Sequence, residues 1–498
     1  MDKFFLSVDY GLTNTKAVLF SADGREAASG SAVTPVINEQ DRAEIDMKEQ
    51  WRNTARVIRK VIEESGIDPS DILASGCSGH GGGLYPVDKN LQPVRRAILS
   101  MDGRTEKIIA AWKADALTNY EKTCIHMWNG QMVPLMYWLK LNEYHIYTNI
   151  YKVLMAKDWI TLKLTGNVST DYTDASIAGV INIENRRYDR EIFTPFGIED
   201  AYDKLPGLYK STDIVGQVTG SAAAETGLCE GTPVTAGIFD CAACALGGGV
   251  HDNTRYSITA GTWSINSGVD DRYVPGKDIL SWSLFADERS YFAVESSATS
   301  AVNLEWSINN LLSGISSGRN FKDAGIYRKI EKIISKFDAD EVDIVYLPFI
   351  YKSKLARNID GSFFGIKAFH DKFHLLRAVY EGIVFAHRMH LENLRNASMD
   401  KNSAVLSGGV SRSAFWCQMF ADILDLEIIT TEASEPGALG AAICSAVAAG
   451  CFEDFGSAIK AMVREKGRFY PDKARHSVYS EKYRKFLRLI NLFDKGWS

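Results

Sequence analysis

Cysteine is scarce and scattered in this chain, eight in 498 residues, with no spacing that reads as a disulfide framework. Buried, reduced thiols are the expectation. Cys241 and Cys244 stand at a redox or zinc spacing, but a zinc site needs a second ligand pair and none lies nearby, so packing is the expected role of both. Basic charge is in deficit. With 56 Lys+Arg against 62 Asp+Glu the net charge is −6, and no basic run is long enough to neutralise a row of phosphates, which argues against a nucleic-acid partner. Long apolar runs are missing too. None approaches the ~18 residues of a membrane span, and the opening "MDKFFLSVDYG" breaks at Asp9, too soon for a secretion signal. No membrane partner and a cytoplasmic location are therefore expected. Two phosphate-binding fingerprints, G-x-x-x-x-G-K-[ST] and G-x-G-x-x-G, are also absent, which removes the P-loop and the ordinary dinucleotide oxidoreductase.

What is present is an ordinary globular composition. At 46% hydrophobic residues the chain can bury at least one large core, and its length suggests two to four domains. Residues 4–9 and 16–20 are β-branched or aromatic runs joined by the turn in "VDYGLTNTKAVLF" (Val8 to Phe20), and "SADG" (Ser21 to Gly24) makes the next hairpin. The chain is expected to begin as an antiparallel meander. From Met47 to Glu64 the residues Trp51, Ala55, Ile58 and Ile62 recur at helical spacing, and "DILASGCSGHGGGLYPVDKN" returns to strand, glycine turn and strand. Residues 105–230 alternate amphipathic helices such as "VPLMYWLKLNEYHIY" with short strands, and read as insertions on that core. The pattern is mixed α/β.

An internal similarity carries more. "RYSITAGTWSINSGV" (Arg255 to Val269) repeats the plan of the opening, strand, a short turn with Gly and Thr, strand, which suggests two similar halves meeting near residue 250. A Gly/Thr hairpin in each half, facing across a cleft, would offer backbone N–H groups and hydroxyls to one polyanion. The strand in "TPVTAGIFDCAACALGGG" ends in Asp240 before a run of small residues. Asp240 is either an N-cap of the helix that follows or a cap and a catalytic carboxylate at once. In "AVLSGGVSRSAFWCQMFADIL", Gly408 and Gly409 stand at a strand-to-helix turn, where a flat ligand can approach the backbone. "EIITTEASEPGALGAAICSAVAAG" reads as a strand and a close-packed Gly/Ala helix from Pro436 to Gly450, too short to cross a membrane. His387 and His390 lie on an amphipathic helix without a metalloprotease glutamate and are expected to face solvent or to pack.

In this order, these elements resemble the FGGY family of carbohydrate kinases along the whole chain. "GSFFGIKAFHDKFHLLRAVYEGIVF" (Gly361 to Phe385) is similar to that family's C-terminal signature, with Gly361, Gly365, His374, Ala378 and Glu381 at its spacing. "AILSMDGR", "KDWITLKLTG" and "SSATSAVNLEW" are most similar to its L-xylulose kinase branch and to related pentulose and polyol kinases. The resemblance implies an α/β, actin-like (ribonuclease H-like) ATPase fold of two domains with a cleft between similar halves. Residues 1–249 would carry the sugar site, the first phosphate hairpin and the base, and 250–498 the second phosphate hairpin and the adenine site. It implies ATP-dependent phosphorylation of a terminal hydroxyl of a small ketose or polyol, an L-xylulose-like pentulose first among them, with ATP and Mg²⁺ as cofactors and a homodimer left open. Gly11 then permits close backbone approach, Thr13, Asn14 and Thr15 donate to phosphoryl oxygens, and Lys16 offsets charge on the transferring group. Asp9 would repel ATP unless a cation lay between them, so it reads as an outer anchor of hydrated Mg²⁺. By the same resemblance Asp240 takes the proton of the sugar hydroxyl and stands near the metal. Gly261 and Thr262 serve the second phosphate hairpin, Gly408, Gly409, Gly437 and Ala438 frame the adenine, and Gln418 is an adenosine candidate.

The sequence departs from the family pattern in places. Leu12 stands where most members have Thr, Leu135 replaces a signature lysine, and "YKSKLA" (Tyr351 to Ala356) replaces G-E-R-x-P. In "GCSGHGGGLYPVD", bulky polar residues give way to Gly81, Gly82 and Gly83 after His80. Either the substrate is larger on that side, or His80 alone supplies the polar contact, or His80 is structural. Trp128 and Gln131 are candidates for the sugar wall, and Asp102 and Arg104 for an internal ion pair beside it. The rival is a non-catalytic actin-like ATPase module that binds a protein partner, which would have no need of a base at Asp240. A sugar-responsive repressor is not expected, since no helix-turn-helix fits before the first strand.

Overall fold

Short turns between the first apolar runs leave them no arrangement but a meander. In the computed structural model, which describes residues 3–275, 279–312, 324–351 and 359–494, Phe4–Tyr10 pairs antiparallel with Asn14–Ser21, and that strand with Glu26–Val33. Residues 352–356 of the "YKSKLA" departure lie outside the described residues. The chain divides into two compact units: Met1–Asp252 with Val269–Ala293 and Ala433–Arg464, and Asn253–Gly268 with Val294–Glu432 and Glu465–Ser498. Each unit thus draws on segments far apart in sequence.

The first unit's sheet runs Ile214–Gln217, Pro233–Thr235, Ile72–Gly79, Phe4–Tyr10, Asn14–Ser21, Glu26–Val33, with Ile238–Phe239 also paired to Ile72–Gly79. Phe4–Tyr10 and Ile238–Phe239 both lie parallel to Ile72–Gly79, with Asp9 opposite Ser78 and Phe239 opposite Gly79. Parallel strands therefore end together, and the sheet edge where their carboxyl ends meet is where α/β folds place ligands. The helix Met47–Ser65 is started by Asp46, whose carboxylate accepts from the Lys48 and Glu49 N–H groups, and it buries Trp51, Ala55, Ile58 and Ile62 in a core with Leu6, Val8 and Leu19. The expected insertions between residues 105 and 230 are present as short helices and two-stranded pairs.

Two helices beside that sheet meet backbone to backbone. A Cβ on Gly440, in the helix Pro436–Ala448, would lie 2.0 Å from the Ala243 carbonyl oxygen, and one on Gly247, at the end of the helix Asp240–Gly247, would lie 2.0 Å from that of Pro436. The Gly/Ala composition of both segments is thus a packing requirement.

The second unit repeats the plan. Tyr256–Ala260 pairs antiparallel with Ser264–Asp270 and parallel with Ser403–Ser407, which is followed in the sheet by Glu427–Thr431 and Glu465–Phe469. The helix Lys372–Asn396, capped by Asp371, carries His387 and His390. Both histidines are fully buried and packed, not solvent-facing. His387 Nδ1 lies 2.8 Å from Asn266 Oδ1, and His390 contacts the Ser297 hydroxyl at 2.7 Å and Glu295 at 3.0 Å. The amphipathic pattern hid this because polar partners from other segments line the core there. Among the described residues no helix is long and apolar enough to cross a membrane.

Candidate active site

Asp9 is the next-to-last residue of its strand, and Asp240 directly follows the strand Ile238–Phe239. The topology brings both to one sheet edge. The helix N-cap is Phe239, which makes no side-chain capping bond, and Asp240 is the first helical residue. It is therefore not an N-cap, although its carboxylate accepts from the Cys241 N–H just ahead. Burial, and then the Asp9 charge, push the Asp240 carboxyl up to about 7. Asp9 Oδ1 accepts from the Ser78 hydroxyl at 2.7 Å. Burial raises the Asp9 carboxyl while Ser78 and Lys16 pull it down. Both acids are half-buried, so each keeps a face toward solvent.

The first hairpin holds its shape through the Gly11 N–H, which donates to the Asn14 carbonyl at 3.0 Å. Thr13 is exposed and Asn14 half-buried. Thr15 is not: its hydroxyl is buried and accepts from Gln50 Nε2 at 2.8 Å, because the residue sits on the inward side of its strand. Thr15 thus has no route to a phosphoryl oxygen. Lys16 Nζ lies 2.5 Å from Glu435 Oε2, so its charge is already paired. Gly437 and Ala438 belong to the same unit as Asp9, and a Cβ on Gly437 would lie 3.3 Å from Asp9 Oδ2.

The other nucleotide candidates lie in the second unit. Gly261 and Thr262 form the hairpin tip, where Thr262 is exposed and the Gly261 carbonyl accepts from Ala301 N–H. Gly408 has φ +86°, and a Cβ there would lie 2.6 Å from the Ala260 carbonyl oxygen, so only glycine lets this turn press on the hairpin strand. A Cβ on Gly409 would meet nothing within 4 Å. Gln418 is committed elsewhere: its amide nitrogen donates to Asp422 at 2.7 Å and to the Tyr470 carbonyl at 2.8 Å. That leaves the amide no spare donor for an adenosine.

On the sugar side, His80 is buried with both ring nitrogens engaged, Nδ1 3.2 Å from the Ser100 hydroxyl and Nε2 3.2 Å from Tyr85 OH, which in turn meets Tyr10 OH at 2.9 Å. Burial pushes the imidazole down to about 4, so it is neutral. The glycines after it are required by the fold. Gly82 and Gly83 have φ of +75° and +83°, and a Cβ on Gly81 would lie 2.6 Å from both Ile177 and the Phe239 ring. Their small size does not open the pocket, because the space is already filled. Gln131 is buried with Nε2 donating to the Ile177 carbonyl and Oε1 without a hydrogen bond. Half-buried Trp128 lines a cavity of about 380 Å³ with Ser100, Met101, Asp102, Lys113 and Asn129. Asp102 and Arg104 form the ion pair beside it, at 2.7 Å.

Residues 4–247 match the N-terminal domain of the FGGY family of carbohydrate kinases, and residues 256–449 its C-terminal domain. The chain belongs to the FGGY family. It is an ATP-dependent sugar kinase, a phosphotransferase with an alcohol acceptor. A probable L-xylulose kinase of Haemophilus influenzae is 33% identical over 496 residues, 98% of either chain. An L-xylulose/3-keto-L-gulonate kinase of Escherichia coli is 32% identical over 494 residues, 98% of this chain and 97% of that one. Among solved structures, gluconate kinase from Lactobacillus acidophilus superposes with a TM-score of 0.90 at 21% identity, covering 100% of this chain and 99% of that one. It shares the fold, the actin-like two-domain architecture of FGGY kinases.

Several residues around these candidates escaped the sequence reading. Ser78 and Glu435, the partners of Asp9 and Lys16, stand in segments quoted for their glycines. Lys157, Asp158, Asp171 and Asp174 form a fully buried ionic group, with Lys157 Nζ 2.6, 3.0 and 3.5 Å from the three carboxylates. Their one available signal was charge inside apolar runs, "KDWITLKL" and "TDYTDASIAG". Among the described residues no group of three or more His, Cys, Asp or Glu could cage a bare metal ion. The half-buried Asp9–Asp240 pair instead fits a hydrated divalent ion, which Mg²⁺ is when carboxylates and phosphates share it. Cys241 and Cys244 are free thiols beside this acid pair, and burial holds both well above the usual thiol range.

Proposed function

We propose that this FGGY kinase phosphorylates a terminal hydroxyl of a small ketose, an L-xylulose-like pentulose, with Asp240 as general base. The observation that supports it is the acid pair: Asp240 follows its strand beside Asp9, and burial with the neighbouring charge pushes it up to about 7. A base poised near working pH is the efficient one for taking a proton from an alcohol. The sugar O–H gives its proton to Asp240 as its oxygen bonds to the γ-phosphorus; the bond from that phosphorus to the bridging oxygen breaks and ADP leaves. Mg²⁺ held through water by Asp9 and Asp240 would neutralise charge on the phosphates. Gly11, Thr13 and Asn14 are the first unit's phosphate candidates, as close-approach backbone and donors; Gly261 and Thr262 are the second unit's own, and Gly409, where a Cβ would meet nothing within 4 Å, is its adenine candidate beside the turn that Gly408 closes. L-xylulose is named in both curated relatives described above, which supports that choice.

ADP release is to be followed with L-xylulose, other pentuloses, pentitols, tetritols and hexuloses. L-xylulose is expected to give the highest kcat/KM. Another sugar class ahead of it overturns the substrate. Asp240→Asn is expected to lower kcat by roughly 10²–10⁴ with ATP affinity unchanged; turnover within about threefold of the unaltered enzyme removes Asp240 as the base.

A further inference from the structure

The short strand that delivers Asp240 is held at both ends by groups outside the sheet. Lys157 Nζ donates to the Ala236 carbonyl at 3.3 Å, and the Phe239 N–H donates to Thr173 Oγ1 at 2.8 Å. That Thr173 hydroxyl in turn donates to Asp171 Oδ2 at 2.6 Å, which also accepts from the Thr173 N–H at 3.0 Å and the Ser211 hydroxyl at 2.8 Å. Asp171 Oδ1 lies 3.0 Å from Lys157 Nζ, closing the loop from Ala236 to Phe239. Asp158 completes the lysine's pairing at 2.6 Å, and its other oxygen accepts from the Met155 N–H at 3.0 Å. Between the two anchors, Gly237 has φ +83°, and a Cβ there would lie 2.4 Å from the Cys77 carbonyl oxygen and 3.1 Å from Lys157 Cδ. Every charged group in this set is buried.

Burying one ammonium among three carboxylates is an expensive way to gain stability, since apolar replacements of a buried ion group are often neutral or better. A charged frame does give fixed distances, and here the fixed atoms are the carbonyl and N–H groups that flank the approach to Asp240. We propose that Lys157, Asp171 and Thr173 are positioning residues that set the place of the Asp240 carboxylate through the backbone of Ala236–Phe239. This rests on the reading of Asp240 as the base. A misplacement of about 1 Å at a reacting group costs on the order of 10² in rate, so the frame acts on kcat while substrate binding is left to other residues.

The test is Thr173→Val, which keeps the shape and removes the hydroxyl, with Thr173→Ser, which restores it. Steady-state kinetics with L-xylulose and ATP, thermal melting and Asp240→Asn are run alongside. Thr173→Val is expected to lower kcat by about 10- to 100-fold, with KM for sugar and ATP within about twofold, and Thr173→Ser to recover kcat to within about threefold. A Thr173→Val enzyme with kcat within about threefold of the unaltered one overturns the proposal while Asp240→Asn remains inactive. Equal losses in Val and Ser variants that follow their melting temperatures also overturn it, as a purely structural role. If Asp240→Asn keeps its activity, the base reading falls first and the positioning role falls with it.

Discussion

His80 shows how burial gives one side chain a pH response. It is buried between Ser100 and Tyr85, and burial moves it from 6.5 down to about 4. In the unfolded chain the imidazole takes a proton below 6.5; in the fold it refuses one until about 4. Its contribution to stability is therefore full above pH 6.5 and is lost as pH falls toward 4, roughly 3 kcal/mol in all. Urea unfolding at pH 7 and 4.5 is expected to show His80→Gln losing about 2 kcal/mol less than the unaltered protein over that interval. Equal pH slopes for the two would remove His80 as the titrating group. The hydroxyls of the first hairpin teach the same lesson: Thr13 and Thr15 look equivalent in sequence, yet Thr13 stands in the turn and is exposed, while Thr15 lies within the strand, faces inward and is tied to Gln50.

Among the elements, the helices Asp240–Gly247 and Pro436–Ala448 are joined most closely. Their glycines allow carbonyls of one to rest where a side chain of the other would be, and the second helix also brings Gly437 to Asp9. Gly440→Ala places a methyl group 2.0 Å from the Ala243 oxygen, which the helices relieve only by moving apart. A loss of about 1–3 kcal/mol in chemical denaturation is expected, with a lower kcat because Asp240, the proposed base, opens one of these helices. An unchanged melting temperature would mean that the two helices have room for the methyl group at their crossing. The strands, turns and helix starts of this region were legible because apolar period, small residues and turn glycines are local signals. The pairing of Lys16 with Glu435 was not, as 419 positions separate them.

At the scale of the molecule, each unit has its own sheet and buried core, and units of this kind commonly unfold separately. In the second unit the C-terminal helix Lys473–Asp494 is tied to Lys372–Asn396 by Lys482, which pairs with Glu381, itself 2.8 Å from Arg377. Lys482→Met leaves part of that buried carboxylate uncompensated, at a cost of about 3 kcal/mol. Calorimetry is expected to show two transitions, Lys482→Met lowering one and Gly440→Ala the other; a single transition moved by both variants would count against independent units. The sequence by itself determined the family, the mixed α/β plan with a Gly/Thr hairpin near the start of each half, and the places of Asp9 and Asp240 at strand ends, because a Gly/Thr turn and a carboxylate at a strand end are written in neighbouring residues. Only the tertiary structure decided which hydroxyls are free, that His80, His387 and His390 are enclosed, that the glycines after His80 serve the backbone, and that Lys157 gathers three carboxylates behind Asp240. Those outcomes depend on side chains meeting from distant segments, and burial and pairing there reverse what each residue would do alone in water.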